Sequence, residues 1–554
     1  MNQVKIFALG GLDEDGKNCL VVEVNQDIVV IEAGLKYPDL DMLGIEYIIP
    51  DFSYLIENKD RIKGIFITHG HDDVMGALPH LLKQAKIPVY ATALTALFIE
   101  DLLKEHDVKG AKVHRIRRFG KVDVGGIKVR TFGLTQSVAD GVGLAIETPE
   151  GYVVYTSEFI IDFDANSDSF RCDITEFAEI GKKGVLALMT ESVSADRVGF
   201  TSPRHRVAEE IESAFDKEGG RIIIMLYEQN LYRLIEVIEL ANKHDRKIVF
   251  YNEDQRQYLR HVEKLGYYKV PVGLEIPKEK YRNDMDNVLV IVSALGPKVF
   301  KLMHKIAISE DAQIELNEDD TVLIASPVVP GSEKEAATME NELYKEGCKV
   351  ISLDHKKVLS MHGSQEDVKL LINLFKPKYY IPIKGQYRHL VNNANVALKV
   401  GYNAGRIVVL DSGQEALFQD GVLKQTSVIH KLEEIMIDGN EKLDISGMVL
   451  RDRETLATDG AMIVGVVVNF KTKEVIGGPD VQSRGVIYLK DADYIVKEVG
   501  SILENTINEL VANNQYDNNT ARMTARDRIQ KYISKETGKR PMILTVVVEI
   551  NIQD

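Results

Sequence analysis

Over the first 200 residues, short apolar, β-branched runs alternate with polar turns. "VKIFALGG", "CLVVEV" and "DIVVIEAG" read as strands, and so does "GIFITHG", which runs into His69. "GALPHLLKQA" carries apolar residues at helical spacing, and "IPVYAT" returns to strand. Strand, polar loop, helix, strand predicts an α/β arrangement with chemistry at the strand's C-terminal end. "VHRIRRF", "IKVRTFGLT", "GVGLAIETP" and "GYVVYTSEF" continue the strands.

The rhythm changes near residue 204. "RHRVAEEIESAFDKE" reads as helix, "GRIIIML" as strand, "NLYRLIEVIELANKHD" as helix and "KIVFYN" as strand, and the alternation runs on through "TVLIASP" and "SEKEAATMENELYKEG". This predicts a parallel-sheet α/β domain inserted at 205–350, after a first part at 1–204. "QEDVKLLINLFKPKYYIPIKGQYRHL" has the look of the first domain resuming over 351–430, with a polar linker at 431–450. A final α/β region, 451–554, has "AMIVGVVVNF" and "PMILTVVVEI" as strands, with helices "DADYIVKEVGSILENTINELVAN" and "TARDRIQKYISKETG" between them.

Composition adds three limits. The chain has 554 residues, 45% hydrophobic and 27% charged, which suits an ordinary globular protein of about three domains. No apolar run approaches the roughly 18 residues that span a membrane, and "MNQVKIFALGG" lacks a signal-peptide layout. Cys19, Cys172 and Cys348 lie far apart, form no zinc motif and suit a reducing cytoplasm. A net charge of −16 argues against nonspecific nucleic-acid binding by bulk charge. A local basic track can still hold phosphates, and Lys109 to Lys121, "KGAKVHRIRRFGK", is one such run; its blander reading is a solvated loop and strand edge.

The sharpest chemical pattern is His69-x-His71-x-Asp73 after a buried strand. Two histidines one residue apart on a loop point at one cation, and an added carboxylate reaches a second. Together with "FALGGLDEDGKN", "YPDLDMLGIEYIIPDFSYL", "HGSQEDVKLLINLFKPKYYIPIKGQYRHL" and "LRDRETLATDG", this stretch resembles the ribonuclease J family over nearly the whole chain. The likeness is greatest to the second of the two paralogues that many Gram-positive bacteria carry. It implies a metallo-β-lactamase αββα sandwich with an inserted β-CASP α/β domain and a small C-terminal α/β domain used for oligomerisation. It also implies RNA as substrate, 5′-to-3′ exonuclease and endonuclease activity in mRNA decay and ribosomal RNA maturation, and two metal ions that activate water and stabilise charge on the phosphate.

Set against the family's ligands, four of seven positions are changed. His69, His71 and Asp73 match. Val74 stands where the family has a histidine, and valine has no lone pair to give. Gln136 replaces a second histidine, Glu158 the bridging aspartate, and Lys384 the last histidine. An ammonium donates three hydrogen bonds and accepts none, so it repels a metal. The resemblance therefore implies a partial site of His69, His71, Asp73 and Glu158. One divalent ion, zinc or manganese, binds there weakly or not at all, a two-metal centre is not expected, and Asp73 is a vestigial catalytic residue. Lys384 can instead neutralise Asp73 and Glu158. Glu32 and Glu191 likewise stand where the family has aspartates.

On the RNA-holding side, Ser360 and His362 match the family's phosphate-binding segment, while Val358 and Met361 do not. Asn230 and Arg233 occupy positions like a substrate-contacting loop, or are simply helix-start residues. Three functions remain open. The chain is a degraded paralogue that supports an active ribonuclease J as homodimer or hetero-oligomer, a weakly active nuclease using His69 and His71, or an RNA-binding module without metal.

Overall fold

The computed structural model describes residues 2–39, 42–165, 167–217, 220–296, 298–329, 332–358, 361–439, 441–442, 447–486 and 493–551. The chain divides into two compact units, 1–39 with 46–440, and 40–45 with 441–554.

Two facing sheets build the first unit. The larger orders its strands Val422–Ile429, Gln414–Gln419, Gln3–Gly10, Cys19–Val24, Asp27–Ile31, Ile62–Ile67, Val89–Ala91 and Val113–Arg115. The smaller runs Tyr379–Ile383, Val185–Glu191, Gly151–Tyr155, Val142–Thr148, Ile127–Gly133 and Gly120–Val124. Strand residues alternate sides, so each sheet presents one apolar face to the other. Ile6, Val22 and Val29 meet Val129, Ile146 and Ile381 in the layer between them. Helices Leu78–Gln84 and Ala93–Glu105 cover the larger sheet's outer face through Leu81 and Phe98, which cluster with Ile65. Helices Ile174–Lys182, Gln365–Phe375 and Tyr387–Lys399 cover the smaller through Phe177, Leu371 and Val396. This is the αββα sandwich.

The inserted domain is a parallel five-stranded sheet, ordered Lys247–Phe250, Val288–Ala294, Ile222–Tyr227, Thr321–Ile324 and Lys349–Ser352. Its helix Leu231–Lys243 packs into the same apolar cluster as Leu81 and Phe98. Insertion and sandwich thus share a core. After it, Tyr379–Ile383 joins the smaller sheet beside Val185–Glu191, in parallel.

Three sequence expectations differ from the structure. "VHRIRRF" is not one strand. Only Val113–Arg115 pairs with the larger sheet, and the chain then crosses to the smaller as Gly120–Val124. His114, Arg115 and Arg117 are exposed, so the run has no apolar face to hold it in one sheet. The expected linker 431–450 contains the strand Ile435–Asp438, antiparallel to Tyr47–Ile49, because Ile435 and Ile437 are buried on one face. The helix expected from Thr524 begins at Asn518, where the Asp517 side chain accepts the Thr520 N–H.

In the second unit, Val475–Arg484, Ala461–Asn469 and Met542–Ile550 form a sheet with the long helices Asp493–Ala512 and Asn518–Thr537 on one face. The other face leaves Ile463, Leu544, Val546 and Val548 exposed.

Candidate metal and charge centre

The site lies at the C-terminal ends of strands from both sheets, the usual position in α/β folds. Ile62–Ile67 leads to His69 and His71, Asp27–Ile31 to Glu32, Gly151–Tyr155 to Glu158, and Tyr379–Ile383 to Lys384. Close backbone packing fixes the histidine loop. A Cβ on Gly34 would sit 1.6 Å from the Asp73 carbonyl oxygen, so only glycine fits. Asn18 holds the same turn, its N–H donating to the Asp73 carbonyl at 3.1 Å and its Nδ2 to Asp73 Oδ2 at 2.8 Å. Glu32, Ser157 and Lys384 all adopt positive φ, 66°, 55° and 55°. Such strain in non-glycine residues gathers where a site's geometry is over-determined.

Lys384 is the electrostatic hub. Its Nζ lies 3.2 Å from Glu32 Oε2, 3.4 Å from Glu158 Oε1 and 3.9 Å from Asp73 Oδ2, with its side chain 5% exposed. Burial alone would drive the ammonium toward neutrality. Glu32, Tyr155, Glu158 and Asp73 outweigh it and keep the pKa well above the ordinary lysine value. Burial likewise opposes the charge on Glu158, but Lys384 and His69 hold its carboxyl well below the usual range. Asp73 is pushed up to about 7 by burial and by Glu158, against the pull of Lys384 and His71. Glu32 Oε1 accepts hydrogen bonds from Thr68 Oγ1 at 2.7 Å and Ser157 Oγ at 2.9 Å, which leaves Oε2 facing the lysine.

The two histidines differ. His69 is fully buried, and burial together with neighbouring His71 lowers its pKa to about 4, so its ring is neutral. Its Nδ1 is 2.9 Å from Thr68 Oγ1, while Nε2 has no hydrogen bond among the described residues and lies 3.4 Å from Glu158 Oε2. His71 bonds Ser137 Oγ through Nε2 at 2.7 Å, and its Nδ1 is 3.2 Å from Glu158 Oε2. Burial would lower the His71 pKa, but Glu158 and Asp73 raise it above the ordinary value.

These groups fit one cation. A ligating atom from each of His69, His71 and Glu158 lies within 4.8 Å of the others, and the free His69 Nε2 is a lone pair without a use. Two imidazoles and a carboxylate suit zinc or a similar divalent ion. They do not fit a second. Val74 is fully buried in the core, and Lys384 brings a positive charge among the carboxylates. Gln136 is fully buried, and neither its amide oxygen nor its nitrogen has a partner among the described residues.

The expected RNA-holding residues divide. His362 Nδ1 lies 2.6 Å from Glu191 Oε2. Burial would lower its pKa, but Glu191 lifts it to about 9, so the ring is a cation with part of its surface in solvent. Glu191 also accepts the backbone N–H groups of Phe159 and Gly363. Ser360 lies outside the described residues. Asn230 and Arg233 need correction. Asn230 caps helix Leu231–Lys243, its Oδ1 accepting the Arg233 N–H at 2.9 Å. Arg233 is 2% exposed and donates to Glu236 at 2.6 Å and to the His205 carbonyl at 2.7 Å. A guanidinium so committed inside the protein does not reach a phosphate. Sequence reasoning missed Asn18, Thr68, Ser137 and Ser157. Thr68, Ser137 and Ser157 carry only the signal of position, adjoining His69, Gln136 and Glu158, and Asn18 reaches Asp73 from 55 residues away with no local signal.

Three family models match the chain. They are the metallo-beta-lactamase superfamily over residues 12–208, the ribonuclease J beta-CASP domain over 219–343 and the ribonuclease J C-terminal domain over 448–550. The chain is 33% identical to a protein named ribonuclease J 1 of Streptococcus pyogenes, covering 99% of this chain and 98% of that one. It is also 33% identical to ribonuclease J2 of Bacillus subtilis, covering 99% of each. Ribonuclease J 2 of Staphylococcus aureus is 31% identical, over 99% of this chain and 98% of the relative. Identity thus favours neither paralogue type. A protein of unknown function from Enterococcus faecalis shares the fold alone, with a TM-score of 0.52 and 15% identity over 75% of this chain and 100% of that one.

Proposed function

The chain belongs to the ribonuclease J family, and from that premise we propose that it serves RNA processing and decay mainly as a partner of an active ribonuclease J. One observation carries this reading: the Lys384 ammonium sits 3.2–3.9 Å from three carboxylates that would otherwise attract a cation. The chain keeps its fold by internal neutralisation. The second metal's position has no ligand set, so one of the two clamps on a phosphate in flight is missing. The exposed apolar face of Ile463, Leu544, Val546 and Val548 supports self-association or pairing with a paralogue through 451–554. The His362 imidazolium supports contact with RNA phosphate. The three free cysteines suit the cytoplasm.

A second reading, a slow nuclease, rests on the free His69 Nε2 beside His71 and Glu158. A bound divalent ion would supply Lewis acidity and an activated water. His69 is already neutral and offers its lone pair, Ser137 and Thr68 orient the two rings, and Asp73 is placed to take a proton.

Cleavage of 5′-monophosphorylated RNA separates the two. The purified chain and its His69→Ala/His71→Ala variant are each assayed alone and mixed with an active paralogue, alongside elemental analysis. The partner reading expects both to be silent alone and both to change the paralogue's activity. Robust cleavage that vanishes in the variant rejects it.

A further inference from the structure

A second candidate RNA surface lies on the sandwich's edge strands, two strands outward from the one that carries His69, since Ile67, Ala91 and Arg115 are level across the larger sheet. Val113–Arg115 is the last strand of the larger sheet, and Gly120–Val124 the last of the smaller. Between Lys109 and Lys128 the chain has seven lysines and arginines against one aspartate, in a protein of net charge −16. Lys109, Lys112, Arg117, Lys121 and Lys128 are exposed. None of these five makes a side-chain ion pair or hydrogen bond among the described residues, whereas Arg115 is paired with Glu100. Arg115, Arg117, Phe119, Lys121 and Thr131 line a concavity of about 290 Å³.

Cations on an exposed strand edge also serve to block pairing with another chain. That purpose does not explain Phe119, which stands 43% exposed among them. Its ring is backed by the Arg118 guanidinium, 5.4 Å from the ring centroid. Arg118 is itself pinned by the carbonyls of Asp168 at 2.6 Å and Leu134 at 3.0 Å. Gly133 makes room for both, since a Cβ there would lie 2.8 Å from each. A rigidly backed aromatic face flanked by the unpaired Arg117 and Lys121 is the arrangement that holds single strands, with bases stacking and phosphates neutralised.

We propose that this edge binds single-stranded RNA, with Arg117 and Lys121 on the backbone and Phe119 as a stacking platform. The proposal rests on the RNA reading above and adds a contact surface to it. It does not depend on any metal.

The test is binding of a short fluorescein-labelled oligouridylate in EDTA, read by anisotropy over a salt series with the full chain. Arg117→Glu/Lys121→Glu should weaken binding at least tenfold and flatten log Kd against log salt by about 0.7 per lost phosphate contact. Phe119→Ala should weaken it about tenfold with the slope unchanged. Lys301→Glu/Lys399→Glu, with the same change in net charge on exposed helix positions, should stay close to wild type. Melting curves confirm that each variant folds. If wild type binds and the edge variants bind equally well, this surface is rejected while the RNA reading stands. A loss shared by the control pair reduces the effect to net charge and also rejects it. If wild type binds no RNA, both fall.

Discussion

Lys384, Glu32 and Glu158 form one ion-paired group, while a third glutamate, Glu191, pairs with His362. Each glutamate stands where the resemblance places an aspartate, and two of them reach the ammonium. A lysine brings one charge where a metal would bring two, and its Nζ needs carboxylates at hydrogen-bonding distance, not at coordination distance. Removing the ammonium leaves buried carboxylates without a counter-charge, and breaking such a pair costs about 3–5 kcal/mol. Lys384→Met should therefore destabilise the chain by that order in urea titrations, and adding Glu32→Gln should recover part of the loss, as coupled neighbours do. Additive losses would reject the pairing. His362 makes a separate prediction. Its folded pKa of about 9 lies above the unfolded histidine value, so the Glu191 pair contributes fully below about pH 6.5 and is lost as pH rises through 9. Stability should fall by about 2–3 kcal/mol between pH 6.5 and 9.5 relative to His362→Gln, measured by denaturant titration at each pH. At this scale the resemblance made His69, His71, Glu158 and Lys384 legible as a set. It did not make legible that Glu32 is the lysine's nearest carboxylate or that His362 pairs with Glu191, because those partners lie far apart in the chain.

At the scale of elements, apolar periodicity located the strands and helices that build the layers and missed what depends on side-chain caps and edges. Helix Asn518–Thr537 starts before its apolar stripe does, because the Asp517 cap satisfies an N–H that the pattern does not register. "VHRIRRF" divides between two sheets because neither side of it is apolar. Asn230 follows the same logic in reverse, since its sequence neighbourhood suggests ligand binding while its side chain closes the first turn of helix Leu231–Lys243. Asn230→Ala should cost about 1 kcal/mol of stability, as lost caps do. RNA affinity should remain within twofold of wild type. An affinity loss larger than the stability loss explains would make Asn230 an RNA contact as well as a helix cap.

For the molecule as a whole, the charge centre joins strand ends of both sheets, so the manner in which it is neutralised bears on the first unit's cohesion. In a two-metal protein, cations hold such strand ends together, and anything that binds only the folded state stabilises it by an amount set by its concentration over its Kd, about 2.7 kcal/mol at a hundredfold excess. Removing the ions then lowers the melting temperature. Here Lys384 is covalently part of the chain, and a chelator cannot take it away. Three carboxylates face one ammonium, and Glu158 and Asp73 also raise the His71 pKa above its ordinary value. The expected result is a first-unit melting midpoint that shifts by less than about 2 °C on treatment with EDTA, with no more than one zinc or manganese per chain by elemental analysis before it. A stoichiometry of two, or a large drop in the midpoint that added metal reverses, would show that cations carry the neutralisation assigned to Lys384. Lys384→Met in the same assay sharpens the contrast. With the ammonium gone, the carboxylates lack a counter-charge, and added divalent metal should now raise the midpoint of the variant while leaving wild type nearly unmoved.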